Sequence, residues 1–118
     1  SHSIALATLA STPLVLRERG SGTRDALHEE LVRNGYNAPV SALDLGSLSA
    51  VRIAVINGSS PTVISRLAVK DDLAARSLVE VAVDGFAVQR RLLAVWAKQH
   101  DPSQLADELL KHLKRSDT

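Results

Sequence analysis

An α/β fold, with a mixed and mostly parallel sheet flanked by helices, is what this sequence predicts, on three observations. Strand-like and helix-like segments alternate along the chain, the pattern that favours parallel pairings. Two of the helix-like segments open on small polar turns, Gly20-Ser21-Gly22-Thr23 and Gly46-Ser47-Leu48-Ser49. The only aromatic residues are Tyr36, Phe86 and Trp96, and 45% of the 118 residues are hydrophobic, so the core must be built from Leu, Val, Ile and Ala.

The elements follow in order. Leu14-Val15-Leu16-Arg17 comes after Pro13 and reads as a buried strand. The Gly20 to Thr23 turn supplies an N-cap, Ser21 or Thr23, to a helix running through Asn34. Leu27, Leu31 and Val32 recur there at helical spacing, and Gly35 stops it. Ala42-Leu43-Asp44-Leu45 is a short strand. The next helix carries Val51, Val55 and Ile56 and ends at Asn57-Gly58, and Thr62-Val63-Ile64-Ser65 is a third strand. Residues 69–76 read as a short helix with Asp71 and Asp72 in its first turns, where the helix dipole favours acids. Two further strands, 78–83 and 92–97, flank the Asp84-Gly85 turn. Asp101-Pro102-Ser103 opens a last helix lined by Leu105, Leu109 and Leu113, and the tail 114–118 reads as frayed. The first thirteen residues receive no element, and Ser1-His2-Ser3 reads as a cloning remnant.

Fourteen basic residues against thirteen acidic give a net charge of +1, which argues against a dedicated nucleic-acid surface. Without cysteine there is neither a disulfide framework nor a thiolate metal site, in keeping with a cytoplasmic protein. No apolar stretch is long enough to span a bilayer, and no basic-then-apolar leader opens the chain.

The first polar turn is the best ligand candidate. A helix start exposes backbone N–H groups without partners, and its dipole favours anions. Gly22 lets a ligand approach the backbone, Ser21 and Thr23 add hydroxyls, and Arg19 and Arg24 add positive charge. A small carboxylate, sulfate or phosphate suits such a place. Ser47 and Ser49 make a second helix-start site, and if both helices begin at the same end of parallel strands the two turns share one edge, where α/β sheets bind ligands. Ordinary capping is the plainer reading of each turn.

Enzyme readings find little support. His2, His28, His100 and His112 are scattered and form no zinc-type pair. Glu29-Glu30 and Asp71-Asp72 are adjacent on helices, so their side chains diverge. There is no Gly-x-Ser-x-Gly elbow, and Gly20-x-Gly22 lacks the third glycine of a dinucleotide site. No catalytic residue, metal or cofactor is assigned.

Five segments in order carry a family resemblance: Pro13-Leu14-Val15-Leu16-Arg17-Glu18 with Gly20-Ser21-Gly22-Thr23-Arg24, Leu45-Gly46-Ser47, Ile64-Ser65-Arg66-Leu67-Ala68-Val69, Leu78-Val79-Glu80-Val81, and the run from Arg91 to Trp96. Together they resemble the second half of the effector domain of bacterial LysR-type transcriptional regulators, from about residue 6 to about residue 113. One departure is Gly58-Ser59-Ser60-Pro61, where the family has Gly-Leu-Gly; Pro61 removes a backbone donor where the strand begins.

The resemblance implies part of a type II periplasmic-binding-protein-like domain whose ligand sits between two lobes. Residues 1–65 would form most of the second lobe and 66–118 would return to the first, with Ser65 near the crossing. It implies a small, anionic effector and transcriptional control. Strands missing from the first lobe would leave sheet edges uncovered, which predicts a homo-oligomer, with or without exchanged elements, in the cytoplasm and away from any membrane. DNA would be bound only through a winged helix-turn-helix domain with no counterpart in this sequence, so a truncated piece is expected. The competing reading is a solute receptor of periplasmic-binding-protein type, or a binding module of another protein.

Overall fold

The computed structural model describes residues 3–87 and 91–97. Its elements are β1 (Ser3–Ala5), α1 (Leu6–Ser11), β2 (Leu14–Arg17), α2 (Gly22–Arg33), β3 (Ser41–Leu45) and α3 (Leu48–Ile56). After them come β4 (Thr62–Ser65), a 3-10 turn (Leu67–Val69), α4 (Lys70–Ala74), β5 (Leu78–Asp84) and β6 (Leu92–Ala97). The strands form one sheet in the order β1-β5-β6-β4-β2-β3.

Both faces of this sheet are covered, so its central strands are apolar on both sides. Leu14 and Leu16 of β2 point to one face, where they join Val63, Ala94 and Trp96 under Leu27 and Leu31 of α2. Val15 points to the other, with Ile64, Leu93 and Val95 beneath Val51 and Val55 of α3. This period-two alternation explains why 14–17 and 92–97 read as near-continuous hydrophobic runs. Val32, expected on the apolar stripe of α2, lies off it and is 51% exposed. It follows Leu31 by one residue, roughly 100° around the helix.

The sheet is mixed. β1 with β5, β2 with β3 and β2 with β4 run parallel, whereas β6 is antiparallel to both β4 and β5. Only seven residues separate Asp84 from Leu92, too few for the crossover that a parallel return requires. The sheet also continues past position 65: β6 pairs along β4 from Thr62↔Val95 to Ser65↔Leu92.

Three expectations are corrected. The first thirteen residues do hold elements: Ser3 pairs with Ala82 in the strand β1, and α1 follows it. The helix expected over 69–76 is shorter, with Val69 ending the 3-10 turn and Arg76 lying past α4 at φ 61°. Finally, Pro61 does not impair the start of β4. Its buried carbonyl accepts from the Val15 amide at 2.9 Å, so the donor it lacks is not the group this pairing uses. The closing helix and tail expected after residue 100 lie outside the described residues.

Candidate functional site

The C-terminal ends of β3, β2 and β4 meet at one edge of the sheet. Arg17 is level with Leu45, and the Glu18 amide donates to the Leu45 carbonyl at 3.1 Å. On the other flank Val15 is level with Thr62, whose buried hydroxyl donates to the Val15 carbonyl. The chain leaves β2 to form α2 on one face and leaves β3 to form α3 on the other. Connections diverging to opposite faces leave a crevice between them, the usual ligand position in such sheets. Arg17, Thr23, Arg24, Leu48 and Thr62 line it, and as it stands it encloses only about 10 Å³, room for roughly one water.

Both helix starts are capped by the serines the turns supply. Ser21 Oγ accepts from the Arg24 amide at 3.4 Å, so Ser21 rather than Thr23 is the cap of α2, and Ser47 Oγ accepts from the Ala50 amide at 3.1 Å. Each cap satisfies one orphan donor of its first turn and leaves the amides of the first two helical residues, Gly22 and Thr23 or Leu48 and Ser49, without intrahelical partners. Nothing lies within 4 Å of the place a Gly22 side chain would occupy.

Of the residues singled out in the sequence, Thr23 lines the crevice, Ser21, Gly22, Ser47 and Ser49 stand at the starts of the helices that follow the parallel pair β2 and β3, and half-buried Ser65 ends β4, which runs parallel to β2. Arg19 stands apart. It is exposed and lines a neighbouring cavity of about 290 Å³ with Arg24, Asp25, His28 and Pro39. The acidic pairs split as expected: Glu29 and Asp71 are exposed, while Glu30 and Asp72 are buried.

Sequence reasoning missed how the crevice holds its cations. One Arg24 nitrogen, Nη1, donates to the Arg17 carbonyl at 2.7 Å and to Asp44 Oδ1 at 2.9 Å, clasping the start of α2 to both β2 and β3. The Arg17 guanidinium is paired with Glu18 at 3.0 Å. Asp44 is held below the ordinary aspartate pKa, first by the Ser41 hydroxyl 2.6 Å from it and then by Arg24. Glu18 is likewise lowered, chiefly by its hydrogen bond from Arg17. Partners seven and twenty residues from Arg24 leave no local signature that could have been read in advance.

Among the described residues no group of acidic or histidine side chains could hold a metal ion, and no helix is long and apolar enough to cross a membrane.

Comparisons with known proteins agree with this architecture. The family model described as the LysR substrate binding domain matches residues 1–117. The HTH-type transcriptional regulator Rv2282c of Mycobacterium tuberculosis is 39% identical over 100% of this chain, which spans 39% of that protein's length. Similarity at 33% identity covers 97% of the chain and 38% of the HTH-type transcriptional regulator YeiE of Escherichia coli. A third relative, the phosphonates import ATP-binding protein PhnC of Anaeromyxobacter dehalogenans, is 36% identical over 92% of the chain and 22% of its own length. The chain is a member of the LysR substrate-binding domain family, whose fold is that of type II periplasmic binding proteins.

Proposed function

We propose that this chain senses a small anionic effector in the crevice between the Gly20–Thr23 and Gly46–Ser49 turns, and so controls transcription by a longer protein. The observation that carries this reading is the common edge: two capped helix starts, on α2 and α3, rise from adjacent parallel strands. Amides at both starts favour negative charge, and Thr23, Ser49 and Ser65 add hydroxyls. Arg19, in the adjoining cavity, would raise the local anion concentration rather than grip the ligand.

A crevice with room for one water needs a second wall to enclose an effector. Leu48 and Leu67, 37% and 84% exposed, supply apolar surface at this edge for an opposing lobe to cover. In this reading residues 3–65 belong to one lobe, and β5 and β6 extend its sheet, with any return to the other lobe coming later than residue 65. The parent protein is cytoplasmic and homo-oligomeric, and it reaches DNA through a separate domain. An effector can change that oligomer only by binding its closed and open arrangements unequally.

The test is calorimetric titration of the purified full-length protein with sulfate, phosphate and small carboxylates, repeated on Thr23→Val. Saturable binding of one such anion, weakened about fivefold or more by the substitution, is the expected result. Binding indifferent to Thr23 and to the charge of the ligand would overturn the proposal.

A second reading, a binding module within a transport protein, is favoured by one observation. The relative named for phosphonate import matches 92% of this chain. The coding sequence upstream separates the two, since a DNA-binding domain there supports the regulator.

A further inference from the structure

In the reading above the crevice takes an anion, yet its arginines are already paired with carboxylates of the same chain. We propose that Asp44 is a tethered counter-ion of the effector site, holding Arg24 while the crevice is empty and giving up its place on the guanidinium when an anion enters. The inference rests on the effector reading above.

The geometry suits an exchange. The Arg24 side chain is only 14% exposed and borders the crevice, and its bond to the Arg17 carbonyl anchors the guanidinium whatever its other partner does. Asp44 is 52% exposed and stands on β3, which ends the sheet among the described residues, so its carboxylate can turn into water without disturbing the core. The Ser41 hydroxyl holds that carboxylate in position beforehand. Exposed ion pairs contribute little, so releasing this one costs an incoming anion little. In return the anion gains the Gly22 and Thr23 amides, neither of which is bonded to Asp44. An uncharged molecule gains no comparable exchange, because it would leave Arg24 without a counter-charge. Asp44 therefore lowers affinity modestly for every ligand while admitting only those carrying negative charge.

The experiment titrates the full-length protein with sodium sulfate at constant ionic strength and follows backbone amide shifts at the two turns, on the wild type, Asp44→Asn, Ser41→Ala and Arg24→Gln. Asp44→Asn is expected to tighten the sulfate response at Gly22 and Thr23 about two- to fivefold, the reach of an exposed ion pair. Ser41→Ala, which loosens the carboxylate without removing it, gives a smaller change in the same direction and serves if Asp44→Asn does not fold. Arg24→Gln weakens the response about tenfold or more. Saturable wild-type binding that Asp44→Asn leaves unchanged or weakens would overturn the counter-ion role and leave the effector crevice standing. No saturable response at either turn, in the wild type or in Asp44→Asn, would remove the effector reading and this inference with it.

Discussion

Arg52 of α3 and Asp72 of α4 meet in a two-point ion pair, Nε to Oδ2 at 2.7 Å and Nη2 to Oδ1 at 2.8 Å. Asp72 is buried, and its guanidinium partner is one-third exposed. The bond ties the helix that begins at Ser47 to the helix that follows β4, bracing one side of the crevice. Removing one member of a fully buried pair costs roughly 3–5 kcal/mol; with Arg52 partly in water, Asp72→Ala is expected to cost about 1–3 kcal/mol in urea unfolding. The Arg52 pKa is raised, first by its hydrogen bond to Asp72 and then by that charge. A raised basic group contributes stability below its unfolded pKa and loses it only as pH climbs past the folded one. The Arg52 charge should therefore be kept through neutral pH and its contribution lost only in strong base, as unfolding midpoints measured from neutral pH upward will show.

Acid acts at the other side of the crevice. Asp44 has a lowered pKa, so its bond to Arg24 is present above the ordinary aspartate range and is lost as pH falls through the depressed value. A carboxyl-carbon NMR titration should place its midpoint below that of a free aspartate. Ser41→Ala should move the midpoint upward, since the hydroxyl is the largest single cause of the depression. An unshifted midpoint in the wild type would mean that the clasp does not form in solution.

The two caps differ in strength. Ser47 accepts at 3.1 Å and Ser21 at 3.4 Å, so Ser47→Ala is expected to cost about 1 kcal/mol and Ser21→Ala less, toward about 0.5 kcal/mol. Thermal unfolding followed by circular dichroism reads both.

Past α4, Arg76 adopts φ 61°, a left-handed conformation that side chains other than glycine enter at a cost, and its amide closes the helix on the Leu73 carbonyl at 3.1 Å. Arg76→Gly should therefore stabilise the chain by about 0.5–1 kcal/mol, visible as a raised unfolding midpoint.

Local patterns made much of this fold legible. Thr62–Ser65 and Leu92–Ala97 form strands where the apolar runs begin and end, and Ser21 and Ser47 cap helices as their spacing requires. The antiparallel β6 was hidden because alternation alone does not reveal strand order; only the short link after Asp84 hinted at it. β1 and α1 escaped notice since three-residue and six-residue elements carry too few positions to show a period. At the site, the turns could be read because each is contiguous. The Arg24 clasp could not, because it joins residues from three elements through the fold itself.

Everything about the sensor depends on Gly22, Thr23 and Ser49 acting on one anion. Crystals of the full-length protein soaked in selenate, which scatters anomalously, give the most direct view. The account expects an anomalous peak within hydrogen-bonding distance of the Gly22 and Thr23 amides, with the Ser49 hydroxyl turned toward it. A peak confined to the Arg19–His28 cavity, or an empty crevice at a concentration that saturates the chain in solution, would contradict it.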